Sequence, residues 1–88
     1  MRVLWASKAW DQYIGWQQSD HSEVRKINDL IENIRRDPFK GIGQPEPLKA
    51  ILQGWWSRRI NKEDRLVYRV AGKDDQKTVE IAQCRFHY

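Results

Sequence analysis

Apolar residues change their period once along this chain, near its middle. Residues Arg2 to Trp5 hold the strand formers Val3, Leu4 and Trp5 and predict a short β-strand. Ser7 is placed to cap a helix from Lys8 to about Gln18, whose apolar face is Trp10, Tyr13, Ile14 and Trp16. Asp20-x-x-Glu23 reads as a capping box with Asp as the cap. Val24, Ile27, Leu30, Ile31 and Ile34 then keep helical spacing up to Arg35 and Arg36, whose charge suits a helix C-terminus, and Pro38 stops the helix. The two helices form a hairpin. Phe39 to Pro47, with Gly41, Gly43, Pro45 and Pro47, predicts a loop. Beyond it the period falls to two. Strands are predicted over Leu48–Leu52, Trp55–Ile60, Arg65–Val70 and Thr78–Arg85, with turns at Gln53-Gly54, Asn61–Asp64 and Gly72–Gln76. Short polar connections imply antiparallel pairing, and the helix stripes need a sheet face to cover. The expected architecture is α+β: two N-terminal helices packed on an antiparallel β-sheet of four to five strands.

Composition narrows the class. A chain of 88 residues has room for one core, so residues 1–88 read as one domain. It is 40% hydrophobic and 32% charged, and it holds no run of about 18 apolar residues that could cross a membrane. Five Trp, three Tyr and two Phe supply aromatic mass that disordered chains lack. Trp5, Trp10, Trp16 and Trp56 fall at core spacing, with Trp55 the expected exposed exception. A single Cys excludes an intramolecular disulfide, and Met1 to Ala6 has no long apolar stretch of a signal peptide, so a cytoplasmic location is expected. The net charge of +4 is uneven. Residues 1–44 hold seven Lys/Arg against six Asp/Glu, and residues 45–88 hold nine against six. A basic sheet half points to a polyanionic partner.

Several chemistries lack their parts. Cys84-x-x-His87 offers two metal ligands, but only His21 remains as another soft ligand, short of the four a closed zinc site needs. Neither a metal nor a cofactor is expected. Cys84 on a buried strand would have its thiol pKa raised and its nucleophilicity silenced. Gly41-x-Gly43 lacks the third glycine and the following helix of a phosphate loop. Ser7, Ser19, Ser22 and Ser57 have no histidine near them in sequence.

One set does meet a chemical need: Glu46, Lys49, Arg59, Arg65, His87 and Tyr88. Metal-free RNA cleavage requires removal of a 2′-OH proton, charge stabilisation on the phosphorane and protonation of the leaving 5′-oxygen. Glu and His can supply base and acid, Arg and Lys fixed positive charge, and Tyr a surface for stacking. Glu46 lies between Pro45 and Pro47, which stiffen its backbone. Each residue alone reads first as a solvated charge or a packed chain end, because charges outside a motif are usually at the surface.

The segment Arg35-Arg36-Asp37-Pro38-Phe39-Lys40-Gly41-Ile42-Gly43-Gln44-Pro45-Glu46-Pro47-Leu48-Lys49 resembles the central signature of the YoeB/Txe toxins. Trp56-Ser57-Arg58-Arg59-Ile60, Arg65-Leu66-Val67-Tyr68 and the ending Cys84-Arg85-Phe86-His87-Tyr88 are similar to the same family, as are Trp5, Trp10, Asp11, Tyr13, Trp16 and Gln17. The resemblance spans essentially the whole chain. It implies a RelE-like, microbial-ribonuclease-like fold and a type II toxin–antitoxin toxin that cuts mRNA in the ribosomal A site. It further implies Glu46 as general base and His87 as general acid. Arg65, Arg59 and Lys49 would hold the phosphate and Tyr88 would orient the substrate, with Arg58 a further candidate for RNA contact. The implied partners are a YefM-like antitoxin, the ribosome with its rRNA and A-site mRNA, operator DNA through the toxin–antitoxin complex, and a second copy in a homodimer. Ile42 and Gln44 depart from the pattern, standing where these toxins often carry Lys, and Asp64 lies where His can occur.

Strand arithmetic leaves one point open. A regular four-residue Asn61–Asp64 loop would set Arg65 opposite Ile60 and turn Arg59 away from it, with Arg58 on Arg65's face. An odd loop or a bulge is needed to bring Arg59 beside Arg65, and a bulge or twist is expected there. A noncatalytic basic domain that docks on rRNA or an acidic peptide is the alternative function. A gyrase-directed toxin of the same fold is a third, against which the His87-Tyr88 ending argues.

Overall fold

In the computed structural model, which describes residues 1–86, the change of period marks the division between helices and sheet. Strand β1 (Arg2–Trp5) runs directly into helix α1 (Ser7–Ser19), and helix α2 (His21–Arg36) follows at once. A long loop leads to β2 (Glu46–Pro47), then β3 (Trp56–Arg59), β4 (Arg65–Ala71) and β5 (Thr78–Gln83). The sheet order is β1-β5-β4-β3-β2. Neighbours are antiparallel except β1, which pairs parallel to β5 with Arg2 opposite Thr78. The rule that short loops give antiparallel pairs ties consecutive strands only. β1 is separated from the rest by the helical hairpin, so it returns to the sheet beside the last strand in the other sense.

The helices begin where backbone hydrogen bonds allow. Ala6, not Ser7, takes the N-cap position of α1 and has no side-chain cap. The Ala6 N–H still donates to the Ile81 carbonyl at 2.9 Å, so the ladder runs up to the first turn of the helix. Asp20 caps α2, its carboxylate accepting from the Ser22 N–H at 3.0 Å and the Ser22 hydroxyl at 2.6 Å. Those bonds hold the Asp20 carboxyl below the usual aspartate range. The reciprocal half of the capping box is missing, because the Glu23 carboxylate turns inward and accepts from Asn61 Nδ2 at 2.6 Å.

The α2 stripe packs as its spacing predicts. Ile27, Leu30, Ile31 and Ile34 are buried and Val24 is half-buried. They meet Leu66, Tyr68, Val79 and Ile81 from the inner face of the sheet. Helix α1 contributes Ala9 and Trp16 to this core. The Trp16 indole N–H donates to the Cys84 carbonyl at 2.8 Å, and the Cys84 N–H donates to Gln12 Oε1 at 2.8 Å, fastening α1 to the end of β5. Trp10 is 46% exposed, contrary to its expected place in the core; it packs at the surface against Trp5 and Tyr13. Trp55, expected to be exposed, is half-buried under the Arg69 guanidinium at 4.6 Å.

Two boundaries differ from expectation. No strand covers Leu48–Leu52. The chain leaves the ladder after the Leu48 N–H bonds the Trp55 carbonyl, and Ala50–Leu52 forms a 3₁₀ turn with Ala50 at φ +57°. Six residues between Leu48 and Trp55 have to reverse direction, and that turn consumes the apolar run. The strand lies earlier and includes Glu46. Pro47 is tolerated there because β2 is an edge strand.

Candidate functional site

Glu46 is held by a ladder, with Ser57 of β3 as its partner. Side chains alternate along a strand, so Ser57 and Arg59 share a face, and Arg59 lies opposite Arg65 of β4. Between them Trp56, Leu66 and Tyr68 turn to the helix-covered core. Glu46, Arg59 and Arg65 therefore share the outer face of the sheet. Val67 and Leu48 are 3% and 8% exposed yet belong to no part of the core beneath the helices, which marks an apolar floor on this outer face. Glu46 and the exposed Lys49 line a cleft of about 360 Å³ with Pro47, Leu48 and Leu52.

The Arg59–Arg65 pairing has a physical cause. The β3–β4 connection is five residues, Ile60 to Asp64, closed by the Ile60 N–H on the Asp64 carbonyl at 3.0 Å. An odd count, in place of the expected bulge or twist, sets Arg59 beside Arg65. The ladder irregularity lies elsewhere, between Val67 and Tyr68 against β5. Like charges directly opposite on neighbouring strands repel. The Arg65 guanidinium is steadied from the turn: Nη1 donates to the carbonyls of Asn61, Lys62 and Asp64 at 2.9, 3.2 and 3.2 Å. The exposed Arg59 side chain adds a second cation, and its backbone N–H donates to the Gly43 carbonyl at 2.7 Å. Two arginines paired on one outer face offer positive charge to an anion with more than one oxygen.

Arg58 requires a correction. It is 0% exposed, on the core side of β3, and no nucleic acid can reach it there. Its Nε donates to the Tyr68 hydroxyl at 3.2 Å, Nη1 to Asn33 Oδ1 and the Ile42 carbonyl, and Nη2 to the carbonyls of Asp37 and Lys40. The Tyr68 hydroxyl in turn donates to the Pro38 carbonyl at 2.6 Å, and burial pushes that hydroxyl's pKa up. One guanidinium thus gathers the loop that leads from α2 to Glu46. Its period-two neighbours give no hint of this, because a strand arginine reads as surface.

His87 and Tyr88, the expected acid and orienting residue, lie outside the described residues. The described chain ends at Phe86, whose carbonyl accepts from the Arg65 N–H at 3.1 Å. Cys84 is fully buried and its thiol is pushed up to about 12, chiefly by loss of water, so no thiolate is available near neutral pH. Among the described residues no three His, Cys, Asp or Glu side chains group to hold a metal ion. No helix among them is long and apolar enough to cross a membrane.

Known proteins resemble this arrangement along its length. The family model described as the YoeB-like toxin of bacterial type II toxin-antitoxin systems matches residues 5–88. Toxin YoeB of Escherichia coli strain K12 is 52% identical over 88 residues, covering 100% of both chains. A YoeB/ParE toxin from Agrobacterium tumefaciens superposes with a TM-score of 0.98 at 52% identity, over 100% of both chains. YoeB of Staphylococcus aureus has been solved as a dimer and as a heterotetrameric YoeB–YefM complex. Both are 43% identical, with TM-scores of 0.88 and 0.87, over 100% of this chain and 98% of theirs.

Proposed function

The chain belongs to the YoeB-like toxins of bacterial type II toxin–antitoxin systems, and on that footing we propose that it is an endoribonuclease cutting mRNA in the ribosomal A site. The observation that carries this reading is the shared outer face, where Arg59 stands opposite Arg65 and Glu46 occupies the adjoining strand. In the proposed reaction the Glu46 carboxylate takes the proton of a ribose 2′-OH. The freed oxygen attacks the adjacent phosphorus, and the bond to the 5′-oxygen breaks as His87 protonates it. The products are a 2′,3′-cyclic phosphate and a free 5′-hydroxyl. Arg65, Arg59 and Lys49 offset the negative charge that grows on the phosphorane, where fixed cations act without reorganisation. Tyr88 orients the nucleotide. None of these steps uses a metal.

The Staphylococcus aureus complex supports a YefM-like antitoxin as partner. In this reading operator DNA is bound only through such a toxin–antitoxin complex. The dimer from the same organism supports self-association. Action on ribosomes implies a cytoplasmic location.

Primer extension on actively translated mRNA tests the reading. Wild-type protein should leave a discrete cut within the A-site codon, and Glu46→Ala and His87→Ala should each lower the rate by about 100-fold or more. Free mRNA without ribosomes should be cut poorly, because the ribosome presents the codon. Equal cleavage by wild type and both variants would reject these roles.

A further inference from the structure

The backbone at Phe86 is unusual. Its φ is +65°, a left-handed conformation that an L-residue with a bulky side chain rarely adopts. Phe86 is 60% exposed, so packing of the ring does not force it. The backbone instead is gripped on both sides. The Phe86 N–H donates to Asp64 Oδ1 at 2.7 Å, and the Phe86 carbonyl accepts from the Arg65 N–H at 3.1 Å. Gln83 Nε2 adds a bond to the Arg85 carbonyl at 3.0 Å, and the Arg85 guanidinium lies 4.6 Å from the Trp16 ring. Strained backbone persists where its surroundings over-determine it, and such places gather at functional sites.

Asp64 is the side chain that closes this grip, and it is itself held. It is 9% exposed, and its second carboxylate oxygen accepts from Asn61 Nδ2 at 3.0 Å. The same Asn61 amide donates to Glu23 on α2, while Asn61 Oδ1 accepts from the Glu63 and Asp64 N–H groups at 2.8 Å each. A continuous chain of bonds therefore runs from α2 through the β3–β4 turn to the last described residue. The same turn steadies the Arg65 guanidinium.

We propose that Asp64 is a positioning residue that clamps Phe86 and so fixes the point from which the catalytic chain end departs, in register with Arg65. This rests on the endoribonuclease reading, in which the residue after Phe86 is the general acid. A carboxylate suits the task because it accepts from a backbone N–H and from Asn61 together, joining the turn and the tail into one unit. Misplacement of a reacting group by about 1 Å can lower a rate by about 100-fold.

The test compares Asp64→Ala and Asp64→Asn in single-turnover cleavage of mRNA on programmed ribosomes. Asp64→Ala should lower kcat by about 10- to 100-fold while the ribosome concentration giving half-maximal rate moves less than about threefold. Asp64→Asn, whose Oδ1 still accepts from the Phe86 N–H while its Nδ2 loses the bond from Asn61, should recover part of kcat, at least about threefold above the Ala variant. A folded Asp64→Ala protein with wild-type kcat overturns the proposal, as does an Asn variant no better than the Ala variant. In the wild type, the Phe86 amide should exchange with solvent at least about tenfold more slowly than an unprotected amide. Free exchange there overturns the clamp without any variant. Absence of cleavage by the wild type on ribosomes, with Phe86 protected, refutes the endoribonuclease reading and leaves the clamp standing as structure only.

Discussion

Replacing Arg58 with Ala removes one buried guanidinium that makes five hydrogen bonds, four to oxygens between Asn33 and Ile42 and one to Tyr68. At a net value of about 1 kcal/mol each, independent bonds would sum to about 5 kcal/mol. Bonds that share one donor group are not independent, and two of the acceptors, the Lys40 and Ile42 carbonyls, lie in the exposed segment 39–42, where water can replace the donor. The expected loss is about 3–4 kcal/mol. An 88-residue domain has a total stability of roughly 4–13 kcal/mol, so this is a large share of it. Urea unfolding reads the loss directly: with a slope near 1 kcal/mol/M, the midpoint should fall by about 3 M at unchanged slope. Arg58→Lys should recover less than half of this, because one ammonium cannot span acceptors that surround a planar fork. Freed of its tether, the loop should also be cut after Lys40 by trypsin under native conditions faster than in the wild type. A midpoint shift below about 1 M would refute the reasoning, as would a Lys variant indistinguishable from wild type.

Two further outcomes follow from the same contacts. Gly43 has φ +80°, and a Cβ there would lie 2.6 Å from Leu30 Cδ2 and 3.2 Å from the Arg59 carbonyl, so Gly43→Ala should lower stability by about 2–3 kcal/mol in urea melts; a change under about 0.5 kcal/mol contradicts the close approach. The Cys84 thiol, pushed from 9.0 up to about 12 by burial, stays protonated in the fold while the unfolded chain ionises. Its share of stability is therefore present below about pH 9 and is lost as pH rises towards about 12. Cys84→Ala should flatten that part of the pH dependence, and the native thiol should resist alkylation at pH 8 until urea exposes it; rapid alkylation of the folded protein would contradict the burial.

Helix α2 is legible in the residues alone. Its five-residue stripe lies on one face, and its stop at Arg36 before Pro38 is local stereochemistry. Strands β3, β4 and β5 are legible for the same reason, since alternation and turn residues are short-range signals. The 3₁₀ turn at Ala50–Leu52 is not, because a run of apolar residues has no period of its own until the reversal between Leu48 and Trp55 is imposed on it. Trp10 and Trp55 exchange their expected exposures. Helical spacing places Trp10 on the apolar side, but the end of the helix beside β1 lies at the rim of the sheet, where little remains to cover an indole.

The candidate site divides along the same line. Residue types and the frame around Glu46, Lys49, Arg59 and Arg65 single out a candidate set for the proposed phosphodiester cleavage, because that chemistry depends on which groups are present. Their grouping depends on parity. One residue more or fewer between Arg59 and Arg65 would turn one of them to the opposite face, and only the closed turn from Ile60 to Asp64 shows that the count is odd. Arg58 and Arg59, adjacent in the chain and alike in chemistry, are separated by that parity alone: one is buried as the anchor of the Glu46 loop and the other is carried to the open face. Element type follows from interactions within a few residues, which a sequence states directly. The partner of each side chain follows from register and from contacts between distant segments, and those exist only once the chain has closed.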